Sequence, residues 1–307
     1  GAGAREYLAM RGVPQSIVDS FGLGFAPEGW TELSDHFRKR KIPEKLLVDS
    51  GLALEGKSGR GVYDRFRGRL MFPIHSTGGR TIGFGARALK PGDEPKYLNT
   101  PERPVYHKGE VLYGLFESRA LLKPAQALVL VEGYVDVLAM YAGGIPAAAP
   151  CGTALTEAQA RLAGRGASSV TILMDSDEAG RRAALKAFGV FGAVGITAKI
   201  ALVREGKDPG DVLKDSGPQA AGALAADPMN IVDYYGELYP PTGGPGAIQT
   251  RMAAAKSLLP EIRRLKDPEA RAIYGKRFED RFGIPWREEE SPSPVPGAPG
   301  PGAQKRD

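Results

Sequence analysis

Cysteine occurs once in the 307 residues, at Cys151, so no intramolecular disulfide can form. A reduced, cytoplasmic setting is the expectation from that usage. Histidine is almost as scarce: His36, His75 and His107 stand far apart, and no zinc-ligand spacing can be assembled from them and one thiol. No apolar run approaches the roughly 18 residues that cross a bilayer as a helix. Nor does an apolar leader open the chain, so no secretory signal is expected. Disulfide-stapled, zinc-finger and helical membrane classes are thereby set aside. An excess of one charge is also nearly missing. With 41 Lys and Arg against 36 Asp and Glu, the formal charge is +5, which permits a polyanionic partner without demanding one. Hydrophobic residues are plentiful at 42%, enough for one large domain or two to three small ones.

Gly and Pro divide the first fifty residues into short helical patterns, Arg5 to Arg11, Pro14 to Phe21 and Trp30 to Lys41. From Val62 to Arg87 the texture is β-like, with runs at Leu70 to Ile74 and Thr81 to Phe84 and a hairpin signal at Gly78-Gly79. From Ala127 onward apolar strands alternate with helices. Strands are predicted at Ala127 to Val131, Ile145 to Ala149, Val170 to Met174 and Thr197 to Val203. Helices are predicted at Tyr134 to Tyr141, Thr156 to Ala163 and Glu178 to Phe191. That alternation implies right-handed crossovers and a largely parallel sheet. After Gly217 the chain becomes Ala-rich and helical. Two or three helices are expected between Ile248 and Phe282, broken at Pro260 and Pro268 and stopped at Gly283. The tail from Arg287 has too little apolar content to fold and reads as a linker or disordered end.

Acidic residues fall where a parallel sheet places its chemistry, at the carboxyl ends of strands. Glu132 follows the strand ending at Val131, with Asp136 one turn later; Asp175 and Asp177 follow Met174; Asp208 and Asp211 follow the strand ending near Val203. If those strands are neighbours, the acids converge. Two carboxylates about 4 Å apart repel by roughly 4 kcal/mol at an effective dielectric of about 20. A hard divalent cation such as Mg²⁺ or Mn²⁺ reverses that sign. Taken singly, each acid reads as readily as a helix cap, and Asp177 is placed to cap a helix starting at Glu178. Three such sites in one alternating segment are harder to explain by capping alone.

The segment from Lys57 to Lys123 holds 13 Lys and Arg against 6 Asp and Glu. Arg65, Arg67 and Arg69 share one face if the stretch is extended, and Tyr63, Phe66, Tyr97 and Tyr106 are interleaved as possible stacking partners for unpaired bases. By itself this reads more readily as a solvated strand face.

Taken together, these segments resemble a known family. Val131-Glu132-Gly133-Tyr134-Val135-Asp136, Asp175-Ser176-Asp177-Glu178-Ala179-Gly180 and Lys207-Asp208-Pro209 look like the three motifs of a Toprim domain, in the form carried by bacterial DnaG-type primases. Gly152-Thr153-Ala154-Leu155-Thr156 resembles the same family. So do the run from Tyr63 to Ile74, Gly83-Phe84-Gly85-Ala86-Arg87, Lys96-Tyr97-Leu98-Asn99-Thr100-Pro101-Glu102, His107-Lys108-Gly109 and Leu112-Tyr113-Gly114-Leu115. The resemblance extends from about Arg5 to Trp286. It implies that Glu132 is the acid near the reacting centre. It also implies that Asp175 and Asp177 act in catalysis, and that Asp175, Asp177 and Asp208 hold two or more Mg²⁺ or Mn²⁺ ions, with Glu132, Asp136 and Asp211 as further candidates. Arg65, Arg67, Arg69, Arg87, Lys96, Asn99 and Lys108 would line the track for nucleic acid and nucleotide. The pattern departs at one point: the family continues Asp-Pro-Asp, whereas Gly210 stands here, with Asp211 one residue later.

Two similarities are dismissed. Gly83 to Ala88 fits a loose dinucleotide fingerprint, but Pro91 and Gly92 follow instead of a helix. His75 and His107 lie near carboxylates without metal-ligand spacing. The resemblance implies an α/β fold in three parts. A basic α/β subdomain spans 1–122, a Toprim subdomain 123–215 and a helical subdomain 216–286, with a tail over 287–307. The active site is expected between the first two, acids on one wall and bases on the other.

The expected activity is metal-dependent synthesis of short RNA primers on single-stranded DNA, as a cytoplasmic monomer without membrane contact. Ribonucleoside triphosphates and an RNA–DNA hybrid would be its other ligands. Contact with the replicative helicase is expected through a C-terminal domain not visible here, and no zinc module is visible either. The competing readings are a Toprim nuclease or phosphoesterase, which hydrolyses instead of joining, and a non-catalytic single-strand binder, which Gly210 favours.

Overall fold

A computed structural model describes residues 1–56, 61–123, 126–203, 208–241 and 246–287. Lys207 of the third acidic motif and the tail from Glu288 lie outside the described residues.

The first part opens with α1 (Ala2–Met10) and α2 (Gln15–Ser20), then β1 (Gly24–Ala26), α3 (Glu32–Lys39) and α4 (Glu44–Asp49). β2 (Ala53–Glu55) and β3 (Val62–Asp64) form a separate two-stranded ribbon. β4 (Arg69–His75), β5 (Thr81–Ala88) and β6 (Tyr97–Asn99) complete an antiparallel sheet ordered β1-β4-β5-β6. The expected hairpin is present: the amide of Ser76 donates to the carbonyl of Arg80, and Gly79, at φ +80°, closes the turn. The helix α4 was not anticipated; Pro43 precedes it and Glu44 starts it, a usable N-terminal signal in a segment too short for clear periodicity.

The second sheet is built from β7 (Leu112–Tyr113), β8 (Leu128–Leu130), β9 (Ala147–Pro150), β10 (Val170–Ile172) and β11 (Ala198–Ile200), in the order β11-β10-β8-β9-β7. The pairs β11/β10, β10/β8 and β8/β9 are parallel, and β7 joins antiparallel at the edge. Between them run α5 (Leu115–Ser118), α6 (Tyr134–Ala142), α7 (Glu157–Gly164) and α8 (Glu178–Ala193), with α9 (Pro209–Ser216) following β11. The strands read as unbroken apolar runs because both faces are covered. Leu128 and Leu130 enter one core with α8, while Val129 and Val131 enter the other with α6 and the amino-terminal helices, the alternation a strand imposes.

The last part consists of α10 (Pro218–Ala223), α11 (Ile231–Leu238), α12 (Ala247–Arg263) and α13 (Pro268–Phe282). Pro268 starts a helix and Gly283, at φ +70°, ends it, as expected. Pro260 does not break α12. It sits on the exposed side, Leu258 and Ile262 anchor the opposite face, and the carbonyl of Pro260 still accepts the amide of Arg264. A proline costs a helix one hydrogen bond, which the buried face here outweighs. Among the described residues no helix is long and apolar enough to cross a membrane.

Candidate active site

Because β8, β10 and β11 are adjacent and parallel, the loops after them open at one sheet edge. Glu132, Asp136, Asp175 and Asp208 meet there and line a cavity of about 320 Å³. Glu132 Oε1 accepts the amide of Asp175 at 3.0 Å, tying two of the loops together. Asp136 is buried; Oδ2 accepts the amide of Gly133 at 3.0 Å and Oδ1 that of Gly210 at 3.2 Å. Burial, then the nearby Asp208 and Asp175, push its carboxyl up to about 8 despite those two donors. Asp175 is pushed up to about 6, first by burial and then by Glu132, Asp208, Asp177 and Asp211.

The capping roles are also real. Asp177 Oδ1 accepts the amide of Gly180 at the start of α8 at 2.7 Å, and Asp208 Oδ1 accepts that of Asp211 at the start of α9 at 2.6 Å. A cap engages one carboxylate oxygen and leaves the second. Among the described residues no three His, Cys, Asp or Glu side chains are already gathered into a ligand set. The donors nevertheless suit a hard divalent ion. They are all oxygen, their charges raise the proton affinity of Asp136 and Asp175, and a cation among them would reverse that repulsion. Asp175 and Asp208, with Glu132, are the residues that would hold it.

Gly210, where the family pattern places Asp, is packed from three sides. A Cβ there would lie 2.9 Å from Val135 Cγ1, 3.2 Å from Asp208 Oδ1 and 3.4 Å from Asp136 Oδ1. Asp211 turns elsewhere, to an ion pair with Arg11 at 2.8 Å.

The facing wall is basic and comes from the first part of the chain: Arg11, Arg87, Lys96, Tyr97 and Asn99 line the same cavity. Arg87 is held over the rings of Tyr7 and Tyr97, at 4.7 and 5.2 Å from their centroids, and donates to the Tyr97 hydroxyl at 2.5 Å. Its buried Nε has no hydrogen-bond partner among the described residues. Such a pre-oriented guanidinium beside an exposed Lys96 suits a phosphate group.

Not every expected residue reaches this cavity. Asp177 and Asp211 lie beside it. Arg65, Arg67 and Arg69 line a second cavity with Tyr63, Lys90 and Glu94. They do share one side, although 65–68 is loop between β3 and β4. Arg69 is buried and donates to the carbonyl of Pro95 at 2.7 Å, while Arg67 stacks on Trp30 at 4.2 Å. The amide of Lys108 donates to Glu102, and its side chain lies outside the cavity. Tyr97, a candidate stacking partner by sequence, does reach the cavity, whereas Arg11 and Tyr134 line it without having been singled out as site residues. Arg11 carries no local signal beyond standing at the end of a helix. The two histidines are accounted for by Glu117, 2.6 Å from His75, and Glu102, 3.1 Å from His107. The apparent dinucleotide glycines lie in β5, where Gly83 and Gly85 admit the rings of Tyr106 and Tyr134.

Two family models match the chain: the N-terminal domain of the DNA primase catalytic core over residues 1–119, and a Toprim-like domain over residues 129–213. A DNA primase of Pseudomonas putida is 36% identical over 286 residues, covering 92% of this chain and 43% of that protein. The chain thus spans less than half the length of that relative. Among solved structures, the RNA polymerase domain of Mycobacterium tuberculosis primase DnaG superposes with a TM-score of 0.78 at 34% identity, covering 91% of each chain. A DnaG primase catalytic domain solved bound to ssDNA superposes at 0.74 with 33% identity, covering 92% of this chain and 89% of that one. With both family segments in order and a solved core matched over 91% of each chain, this chain belongs to the family of DnaG-type primase catalytic cores.

Proposed function

We propose that the chain performs template-directed nucleotidyl transfer, joining ribonucleotides into short RNA primers on single-stranded DNA with Mg²⁺ or Mn²⁺. The observation that carries this reading is the single cleft in which Glu132, Asp136, Asp175 and Asp208 face Arg11, Arg87 and Lys96. Asp175 and Asp208, with Glu132 and Asp177 beside them, would hold a divalent ion, which would supply activation of the attacking 3′-hydroxyl and neutralisation of charge on the transferred phosphate. Arg87 and Lys96 hold the triphosphate, with Arg87 fixed in advance by Tyr7 and Tyr97, so little ordering remains to be done in the transition state. Arg65, Arg67 and Lys108 extend the basic surface along which template and RNA–DNA hybrid run. That a DnaG catalytic domain of the same fold was solved bound to ssDNA supports single-stranded DNA as the ligand. The setting proposed is the cytoplasm, as a monomer working with the replicative helicase.

The test is ribonucleotide incorporation on single-stranded DNA, and on a pre-annealed RNA primer, comparing the wild type with an Asp175→Ala, Asp177→Ala double variant. Metal-dependent RNA product from the wild type alone is expected. Unaltered synthesis by the double variant would overturn the assignment. DNA cleavage without synthesis would mark a nuclease, and binding without turnover a single-strand clamp.

A further inference from the structure

Asn99 lies at the end of β6, on the basic side, yet its side chain is fully engaged with the acidic side. Its Oδ1 accepts the Tyr134 hydroxyl at 2.7 Å, and its Nδ2 donates to the carbonyl of Cys151 at 2.9 Å. Its own carbonyl accepts Arg65 Nη2 at 3.0 Å. Tyr134 begins α6, two residues after Glu132, and Cys151 follows β9. One amide therefore binds two separate loops of the parallel sheet.

Both contacts are partly buried at the wall of the cleft. Tyr134 is 5% exposed, stacks on Phe72 at 5.2 Å between centroids, and meets the ring of Tyr113 edge-on at 4.6 Å. Its ring fills the space over Gly85, where a Cβ would come within 2.3 Å. Gly85 is the register partner of Asn99 across β5 and β6, and the next pairs but one join Arg87 to Tyr97. At the other contact, a Cβ on Gly152 would lie 2.9 Å from Asn99 Nδ2. The ring and amide thus fix the strand pair that carries Arg87, with Lys96 immediately before β6, against the segment that carries Glu132.

We infer that Tyr134 and Asn99 are positioning residues: their hydrogen bond, continued to the Cys151 carbonyl, is a latch that sets the spacing between the basic and acidic walls of the cleft. This rests on the nucleotidyl-transfer reading above. It reassigns Asn99 from contact with nucleic acid to alignment of the residues that make such contacts. Transfer between groups held on opposite walls depends steeply on spacing, since a displacement of about 1 Å can cost about a hundredfold in rate.

The experiment is a double-mutant cycle on the whole chain with Tyr134→Phe, Asn99→Ala and their combination. Ribonucleotide addition to an RNA primer pre-annealed to DNA is followed with binding of a single-stranded oligonucleotide and thermal melting. Each single variant is expected to lose about tenfold in kcat while KM for nucleotide and Kd for the oligonucleotide stay within about twofold. The combination is expected to be no worse than the poorer single variant, because both remove one interaction. Asn99→Asp keeps the acceptor for Tyr134 and loses the donor to Cys151, so its kcat should fall between wild type and Asn99→Ala. Wild-type kcat in Tyr134→Phe, or losses that multiply in the combination, would overturn the latch. So would weakened oligonucleotide binding in Asn99→Ala alone. Amide hydrogen exchange over residues 150–155 gives a readout without catalysis: it should quicken in both single variants. If the wild type itself makes no product, the proposed function fails while exchange still decides the latch.

Discussion

Arg11 and Asp211, 200 residues apart, form an ion pair at 2.8 Å across the mouth of the cleft, joining the end of α1 to the first turn of α9. The side chains keep 21% and 45% of their exposure. A pair that open to water stabilises by at most about 1 kcal/mol. Arg11 also lines the acid-lined cavity beside Arg87 and Lys96. Arg11→Ala should therefore leave the melting temperature almost unchanged but raise KM for nucleotide about tenfold, the effect of losing one charge-assisted phosphate contact of about 1.5 kcal/mol. Nucleotide titration alongside a thermal melt checks both halves. An unchanged KM would remove Arg11 from the substrate-binding wall.

The acidic wall predicts a pH dependence of unusual sign. Carboxylates in folded proteins commonly titrate below their unfolded values and stabilise the fold as pH rises. Asp136, pushed up to about 8, and Asp175, pushed up to about 6, do the reverse. The folded state holds these protons more tightly than the unfolded one, so this contribution to stability is lost as pH rises from about 4 through those values. In metal-free buffer, Asp175→Asn should be more stable than the wild type at pH 7, with the advantage shrinking toward pH 4. Mg²⁺ should raise the melting temperature of the wild type more at pH 8 than at pH 5, and that of the variant less. Paired melts with and without a chelator read this directly; an advantage for Asp175→Asn that grows toward acid would contradict the assigned shift.

How much of this was legible before the structure differs by region, for physical reasons. The parallel sheet announced itself because strands covered on both faces leave unbroken apolar runs such as Leu128 to Val131. The acids at its edge were legible because each follows such a run directly. The basic wall was only partly so. Arg87 and Lys96 were found by resemblance, but nothing local marks Arg11, and the motif that contains Tyr134 does not reveal its contacts with residues far along the chain. Charge counting by itself left the Arg65, Arg67 and Arg69 series reading as a solvated strand face. It cannot distinguish a guanidinium open to a ligand from Arg69, which is buried against the carbonyl of Pro95. Pro260 misled because a proline on the solvent side of a long helix with a well-buried opposite face is tolerated.

The departure at position 210 can be tested by reversing it. Gly210→Asp restores the Asp-Pro-Asp form but places its Cβ 2.9 Å from Val135 Cγ1, with the Asp208 and Asp136 carboxylates also at hand. Overpacking of this kind costs about 1–3 kcal/mol, and the added charge raises the repulsion further in metal-free protein. Gly210→Ala carries the steric part alone. The expected order of metal-free melting temperatures at neutral pH is wild type, then Gly210→Ala, then Gly210→Asp. Mg²⁺ should recover more for Gly210→Asp than for Gly210→Ala. Equal recovery would mean that a carboxylate at this position does not reach the metal-binding region.

Glycine in a strand is ordinarily a loss of packing, and Gly85 in β5 is here because Tyr134 occupies the space a side chain would take. The ring cannot withdraw easily. Phe72 and Tyr113 hold it from the core side, and its hydroxyl is fixed by Asn99. Gly85→Ala, whose Cβ would lie 2.3 Å from Tyr134 Cε2, should therefore destabilise by about 1–3 kcal/mol. Gly3 offers the contrast. It lies within α1, with nothing within 4 Å of an added Cβ, so Gly3→Ala should stabilise by up to about 1 kcal/mol through helix propensity alone. Denaturant unfolding of both variants decides the matter. Equal stability of Gly85→Ala and wild type would show that the Tyr134 ring is free to move, and with it the wall of the cleft that it holds.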